Sequence, residues 1–441
     1  MKPAAANHFK EFAARRAKLM KQIGPGGVAI IPSASEVIRA RDTHYRFRQD
    51  SDFQYLTGFP EPDCIAVFAP GRKAGAFVLF VRDRNTEREI WDGRRQGPEG
   101  AVRNYGADQA FAIGDFQEIL PSLLAGRSRV VYNLGEHAEL DPKITACVRT
   151  IREVSRRGGA APTEFVALET SLHEMRLRKT PAEIAILAKA CEISAEAHCI
   201  AMRYAKPGIN EWQVAAEINA HFGRNNMEPG YGSIVGGGDN ACILHYVENN
   251  QALRDGDLLL IDAGGELDGY TADITRTFPV NGKFSKAQRA VYEVVLEANL
   301  QATKTLKTGE SVGKPHQVAV QILTQGLVDL GLLKGNVKDL IKTEKYRQFY
   351  MHGTGHWLGM DVHDVGRYKM DGEFRTFEPG MVMTVEPGLY IQPGTKGVDE
   401  KYWGIGIRIE DDVVVTDKAP RVLTGDVPKD VKGIEGLMRA A

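Results

Sequence analysis

No segment constrains this chain more than Asp257 to Phe278, DLLLIDAGGELDGYTADITRTF. Apolar LLLI, then Asp262, then the loop GGELDGY and a second β-type run from Thr271 to Phe278 read as a β-hairpin. With the loop symmetric about its centre, Asp262 and Asp273 face one another across the strands, their Cβ atoms about 4.5–5.5 Å apart. Two facing carboxylates repel, so the pair needs a proton or a cation to neutralise it. A two-metal site, with ions about 3.5–4 Å apart, suits it well. Taken singly, either Asp could instead end a strand or sit in a turn.

Other acids and imidazoles stand in similarly unusual settings. Glu386 closes the apolar run MVMTVEPG, and Glu410 lies in GIGIRIEDD, where Gly406, Arg408 and Glu410 share the face opposite Ile405, Ile407 and Ile409. By default that polar face meets solvent, with Arg408 as the surface neighbour of Glu410. The stretch MHGTGHWLGMDVHD packs His352, His356 and His363 among Gly353, Gly355 and Gly359. Three imidazoles amid glycines that permit close backbone approach point to a site. His245, in NACILHYVEN, is weaker evidence. The chain has no HExxH, GxSxG, Walker A or GxGxxG motif, so those chemistries lose support.

At 441 residues the chain exceeds what one hydrophobic core usually fills, so two domains are expected. Short β-branched runs (Val28 to Ile31, Cys64 to Phe68, Ala76 to Val81) alternating with helical segments give an N-terminal α/β domain. The Gly/Pro/Arg stretch RRGGAAPTEF from Arg156 reads as a linker, which places the domains at 1–172 and 173–441. Beyond it, Thr180, Pro181 and Glu183 open a helix towards Tyr204, and Ser285 with Gln288 opens another. Strand pairs between long helices then suggest an α+β domain, helices covering one face of a mostly antiparallel sheet.

Lys+Arg 56 against Asp+Glu 57, a net charge of −1, lacks the basic excess that nucleic acid or an anionic membrane surface would demand. No apolar stretch approaches the roughly 20 residues of a membrane span. The N-terminal segment reads as an amphipathic helix without a secretory h-region, although its Arg and Lys content also suits a mitochondrial presequence. Five scattered cysteines, never spaced as CxxC, fit a reducing compartment, and a cytoplasmic location is expected.

LHY, IDAGG with GYTADITRTFPVNGKFS, HGTGHWLGMDVHD, TVEPGLY and GIGIRIEDD, in that order, resemble the successive signatures of the pita-bread metallopeptidases. Nearly the whole chain, including RQDSDFQYLTGFPEPD and EIWDGRRQG, resembles the bacterial aminopeptidase P group within them. The resemblance implies an α/β N-terminal domain followed by a pita-bread catalytic domain. It also implies release of the first residue from peptides with proline second, by attack of a metal-bridging hydroxide.

Motif by motif, the resemblance puts the dinuclear ligands on Asp262, Asp273, His356, Glu386 and Glu410, and substrate contacts on His245, His352 and His363. Within that frame Glu386 is the expected general base, and Arg408 orients Asp262 or Glu410. The four carboxylates and one imidazole form a hard donor set, which favours Mn²⁺, as the resemblance also does. A homo-oligomer, dimer or tetramer, is implied too, with the loop around Trp91 near a neighbouring active site. Thr354-Gly355 departs from the pattern of close relatives but leaves both flanking histidines in place. Prolidase, which cleaves Xaa-Pro dipeptides, is the nearest rival. A metal-free binding module is disfavoured because all five ligand positions are filled.

Overall fold

A computed structural model describes residues 6–154 and 160–440 of the chain. They divide into two compact units, Met1–Met175 and Arg176–Ala441. Residues 155–159 of the Gly/Pro/Arg stretch lie outside the described residues.

The first unit opens with helix α1 (Ala6–Ile23) and is built on six strands: β1 (Gly27–Pro32), β2 (Ile65–Phe68), β3 (Phe77–Val81), β4 (Gln109–Ala112), β5 (Arg129–Val131) and β6 (Glu164–Val166). Their order across the sheet is β4-β3-β2-β1-β5-β6. Only β2 runs against its neighbours; the other adjacent pairs are parallel. The central strands are continuous apolar runs because helices cover the sheet. Val28, Ile30, Val67, Val78 and Phe80 of the sheet form a core with Leu120 and Leu124 of α2 (Phe116–Leu124) and Ile144 and Val148 of α3 (Asp141–Val154). A hairpin, Ile38–Ala40 with Thr43–His44, and the short helix Thr86–Asp92 stand out from that core, and Ile38, Tyr45, Ile90 and Trp91 are exposed.

The second unit begins its main helix, α4 (Pro181–Tyr204), where the sequence requires. Thr180 Oγ1 accepts from the Glu183 N–H and the Glu183 carboxylate from the Thr180 N–H, a reciprocal capping box. Helix α5 (Glu211–Arg224) follows, then α6 (Lys286–Thr303), which opens on the same box between Ser285 and Gln288, and α7 (Lys314–Asp329).

The strands of this unit pair antiparallel but form several short ladders in place of one broad sheet. β7 (Ile234–Gly237) lies beside β8 (Leu258–Asp262), and β9 (Gly265–Leu267) with β10 (Tyr270–Thr271) forms the tip of the hairpin that returns as β11 (Thr275–Pro279). Later, β12 (Val382–Val385) and β13 (Gly388–Ile391) pair respectively with β15 (Asp411–Val414) and β14 (Ile405–Arg408). Cross-ties hold the ladders together: the Glu410 N–H donates to Thr275 O, and Thr277 Oγ1 to Arg408 O. Among the described residues no helix is long and apolar enough to cross a membrane.

Candidate metal centre

Asp262 does not face Asp273 across the hairpin. The register pairs Asp262 with Thr275, and Ala263 N–H to Ile274 O with Ala272 N–H to Gly265 O carries the same register onward. Asp273 therefore lies diagonally from Asp262, two residues along the opposite strand and on the same face. Side chains in that relation remain within reach of one another. The symmetric-loop expectation fails because the loop has its own pairing, β9 with β10, which shifts the strands by two residues. Gly264 is needed here, since a Cβ at that position would collide with the carbonyl of Ala272. The phenol of Tyr231 lies 2.6 Å from an oxygen of each aspartate and bridges the two.

Glu410 follows β14 and Glu386 follows β12. Neither Glu410 nor Arg408 faces solvent: they are 2% and 3% exposed. The face that alternation leaves polar is covered by the hairpin bearing the aspartates. Arg408 donates to Asp262 Oδ2 at 2.6 Å, to Tyr390 Oη at 3.0 Å and to Thr275 Oγ1 at 3.1 Å. Thr275 Oγ1 in turn donates to Glu410 Oε2 at 2.6 Å. Behind both glutamates stands Asn299 of α6, fully buried, whose amide donates to Val385 O at 2.9 Å and Ile409 O at 3.2 Å. These are the residues immediately before Glu386 and Glu410, so one side chain fixes both backbones.

His356 comes from a loop that adds itself to β12. Its N–H donates to Thr384 Oγ1, the Thr384 N–H to His356 O, and the Glu386 N–H to Thr354 O. His356 Nε2 then lies 3.3 Å from Asp273 Oδ2 and 3.6 Å from Glu386 Oε1. Its Nδ1 lies 3.0 Å from Trp357 O. A proton on Nδ1, donated to that carbonyl, leaves the Nε2 lone pair facing the acids, as a metal ligand requires.

His363 sits on the same loop, which is pinned by Asp364. That carboxylate accepts from Arg176 at 2.6 Å and Lys179 at 2.8 Å. Burial opposes its ionisation, but Lys179 and Arg176 outweigh it and hold Asp364 below the ordinary carboxylate range.

Donor atoms of Asp273, His356 and Glu410 all lie within 4.8 Å of one another. Crowding at the cluster shows in its protonation. Burial, then the nearby carboxylates, push Glu410 far above its ordinary value; burial pushes Glu386 up to about 7 despite the opposing pull of His356 and Arg408. Asp273 is raised by burial as well. Burial would lower His356, but its hydrogen bond to Asp273 and the charge of Glu386 win and raise it to about 9. Buried acids that hold protons for want of positive charge, with an imidazole Nε2 aimed among them that a cation would strip of its proton, fit divalent cations, and the oxygen-rich set excludes a soft thiolate site.

His245, His352, His363 and Arg408 join the five acid and imidazole residues in lining one cavity of about 450 Å³. Ile234, Leu244, Val247 and Val362 supply its apolar wall. His352 has both ring nitrogens engaged, Nε2 with Tyr390 Oη at 2.8 Å and Nδ1 with Gly353 O at 2.7 Å, and burial lowers its pKa to about 4. His245 and His363 have no hydrogen-bond partner among the described residues and offer their rings to the cavity. Trp91 is not among the lining residues; it is 84% exposed on its helix in the first unit. Tyr231, Asn299 and Tyr390 escaped the sequence reading. Only the mid-helix asparagine, a poor helix former at an apolar position, left a trace there.

A fold of this kind with an acid-and-histidine centre defines a metallopeptidase. Residues 185–417 match the model of metallopeptidase family M24, and residues 12–132 match the aminopeptidase P N-terminal domain. The chain belongs to family M24. It is similar to the Xaa-Pro aminopeptidase of Escherichia coli, 46% identical over 98% of both chains, and to that of Haemophilus influenzae, 43% identical over 97% of both. Among solved structures, aminopeptidase PepP of Pseudomonas aeruginosa superposes with a TM-score of 0.96 at 52% identity, covering 98% of each chain.

Proposed function

We propose that this chain releases the N-terminal residue from peptides whose second residue is proline. The observation that carries the reading is the convergence of four carboxylates and His356 on one cavity that His245, His352 and His363 also line. In this reading Asp262, Asp273, His356, Glu386 and Glu410 hold two divalent ions, Mn²⁺ by the hardness of the donors. The ions, when bound, supply Lewis acidity to a water and to the scissile carbonyl.

The rest falls to the chain's own side chains. Glu386 is the proton acceptor for the attacking water. His363, whose ring packs edge to face on His356 and has no hydrogen-bond partner among the described residues, donates to the oxygen on which negative charge develops, and His245 contacts the departing prolyl side. His352 joins at the carbonyl of the first residue once it gives up Tyr390 or Gly353. Arg408 keeps Asp262 oriented. The substrate's ammonium meets the carboxylates, which limits cleavage to one residue from the end.

Proline has no N–H, so a pocket lined there by Ile234, Leu244, Val247 and Val362 loses nothing by offering that nitrogen no acceptor. An ordinary peptide would leave its N–H unpaired at a cost of about 1–3 kcal/mol, roughly tenfold to a hundredfold in specificity. Trp91, exposed beside Ile90, is taken to lie near a neighbouring subunit's site in a homo-oligomer, dimer or tetramer, and sizing chromatography checks the assembly. Five cysteines with no disulfide among them favour the reducing cytoplasm.

The deciding experiment compares Xaa-Pro-Yaa, Xaa-Ala-Yaa, N-acetylated Xaa-Pro-Yaa and Xaa-Pro dipeptides on Mn²⁺-reconstituted protein. Only the first should be cut rapidly. Equal kcat/KM for the proline and alanine tripeptides would sink the reading, and preference for the dipeptide would make the chain a prolidase.

A further inference from the structure

Between His352 and His356 lies Thr354, a buried hydroxyl in the middle of the loop that carries both imidazoles, 2% exposed. Its main chain is already committed, because Thr354 O accepts the Glu386 N–H at 2.8 Å. Its side chain is committed as well. Oγ1 lies 2.6 Å from the fully buried phenol of Tyr350 and 2.9 Å from Nδ1 of His316 on α7. The Tyr350 ring meets His352 edge to face, with centroids 4.9 Å apart. Gly355, next in sequence, is held so close to Thr384 O that no Cβ fits. The loop has no slack on that side, and its placement depends on what anchors Thr354.

A hydroxyl supplies one proton and accepts others. If Tyr350 donates to Thr354 Oγ1, Thr354 donates to His316 Nδ1, and the His316 proton sits on Nε2. The Tyr350 proton, the Thr354 hydroxyl and His316 Nδ1 are then all paired in one chain running from α7 to the loop that lines the cavity. Replacing the threonine hydroxyl by a methyl strands the Tyr350 phenol and the His316 nitrogen together.

We infer that Thr354, anchored by His316 and Tyr350, is a positioning residue that sets the placement of His352 and the spacing of His356 from Glu386. The inference rests on the ligand set proposed above. The threonine and its two partners touch no substrate in this scheme; they act through the loop.

Thr354→Val preserves shape and removes the hydroxyl, Thr354→Ser keeps the hydroxyl, and His316→Phe cuts the outer end of the chain. Calorimetric titration of cation-free protein with MnCl₂ should show affinity about tenfold weaker in Thr354→Val, with kcat/KM falling at least as far at saturating Mn²⁺. Thr354→Ser should keep both within about threefold of the starting protein. His316→Phe should lose in the same direction, and the Thr354→Val/His316→Phe double variant should lose less than the product of the single effects, since both break one chain.

Equal losses in the Ser and Val variants would show packing, not the hydroxyl, at work and overturn the inference. So would unchanged Mn²⁺ affinity and kcat/KM in Thr354→Val, or multiplicative effects in the double variant. If Thr354→Val does not fold, His316→Phe on the half-buried end decides alone, and wild-type affinity and turnover there refute the chain. An unaltered protein that binds no Mn²⁺ would instead overturn the proposed function, and the inference with it.

Discussion

Arg276 is fully buried, and its replacement by methionine should be the most damaging change close to the metal centre that leaves every proposed ligand side chain in place. The guanidinium donates to Asp411 Oδ1 at 2.8 Å, to Thr275 O at 2.9 Å and to Glu410 O at 2.5 Å. Asp411 is fully buried too and otherwise meets the Lys429 ammonium and the Thr424 hydroxyl. Removing one partner of a buried pair costs about 3–5 kcal/mol. Of the four carbonyls that Arg276 reaches, Thr275 O keeps the Glu410 N–H and Thr424 O and Val427 O lose only long bonds of 3.4 and 3.3 Å, which leaves Glu410 O stranded; at about 1–3 kcal/mol for that carbonyl, about 4–8 kcal/mol is expected in all. Set against a total stability of about 5–15 kcal/mol, that is a large share.

The loss should depend on pH. Burial alone would raise the Asp411 carboxyl, but Arg276 and Lys429 hold it far below the usual carboxylate range. Its contribution is therefore fully present above the unfolded value near 3.9 and is lost as pH falls through the folded one. The gap between wild type and Arg276→Met should be widest at neutral pH and narrow below about pH 4. Urea and calorimetric unfolding of the cation-free chain, with each transition fitted separately, measures it. Arg276→Met/Asp411→Asn should recover part of the loss, since no buried charge is then left without its main partner. A loss under about 1 kcal/mol at pH 7, or one that is no smaller at about pH 2 than at pH 7, would refute the reasoning.

Asp273→Ala removes a ligand at the centre of the cluster, so bound Mn²⁺ and turnover should fall together; metal analysis showing two ions per chain with near-normal kcat would contradict the assignment. Glu386→Gln keeps the shape but loses basicity, and kcat should drop by about 10²–10⁴-fold with the fold intact by circular dichroism; unchanged kcat would move the proton acceptor elsewhere. Because Glu386 is held near 7 and His356 near 9 without a cation, Mn²⁺ binding should release protons and strengthen as pH rises from about 6 to 8. Calorimetry in buffers of different ionisation enthalpy counts those protons, and none released would mean that the ligands are already deprotonated.

Most of the cavity's acids and histidines stood out in the sequence because their chemistry clashes with its setting, whereas His245 and Arg408 entered only through the family resemblance. An aspartate after LLLI, a glutamate after MVMTV, another after IGIRI and three histidines among glycines are costly for a strand or loop with no use for them. The starts of α4 and α6 were legible for a different reason: a capping box is made between residues three apart, so the chain itself carries both partners.

Tertiary structure decided the rest. The hairpin register depended on pairing inside its own loop, which moved Asp262 opposite Thr275 and set Asp273 on the diagonal. Alternation along GIGIRIE separated two faces but could not say that another strand layer covers the polar one, so Arg408 and Glu410 read as surface residues and proved buried. Tyr231 meets Asp262 and Asp273 across 31 and 42 residues, Asn299 meets Ile409 across 110, and Thr354 meets His316 across 38. Sequence patterns report which side chains share a face over a few residues. Which distant backbone a hydroxyl or an amide will satisfy is fixed only when packing removes the water that would otherwise serve it.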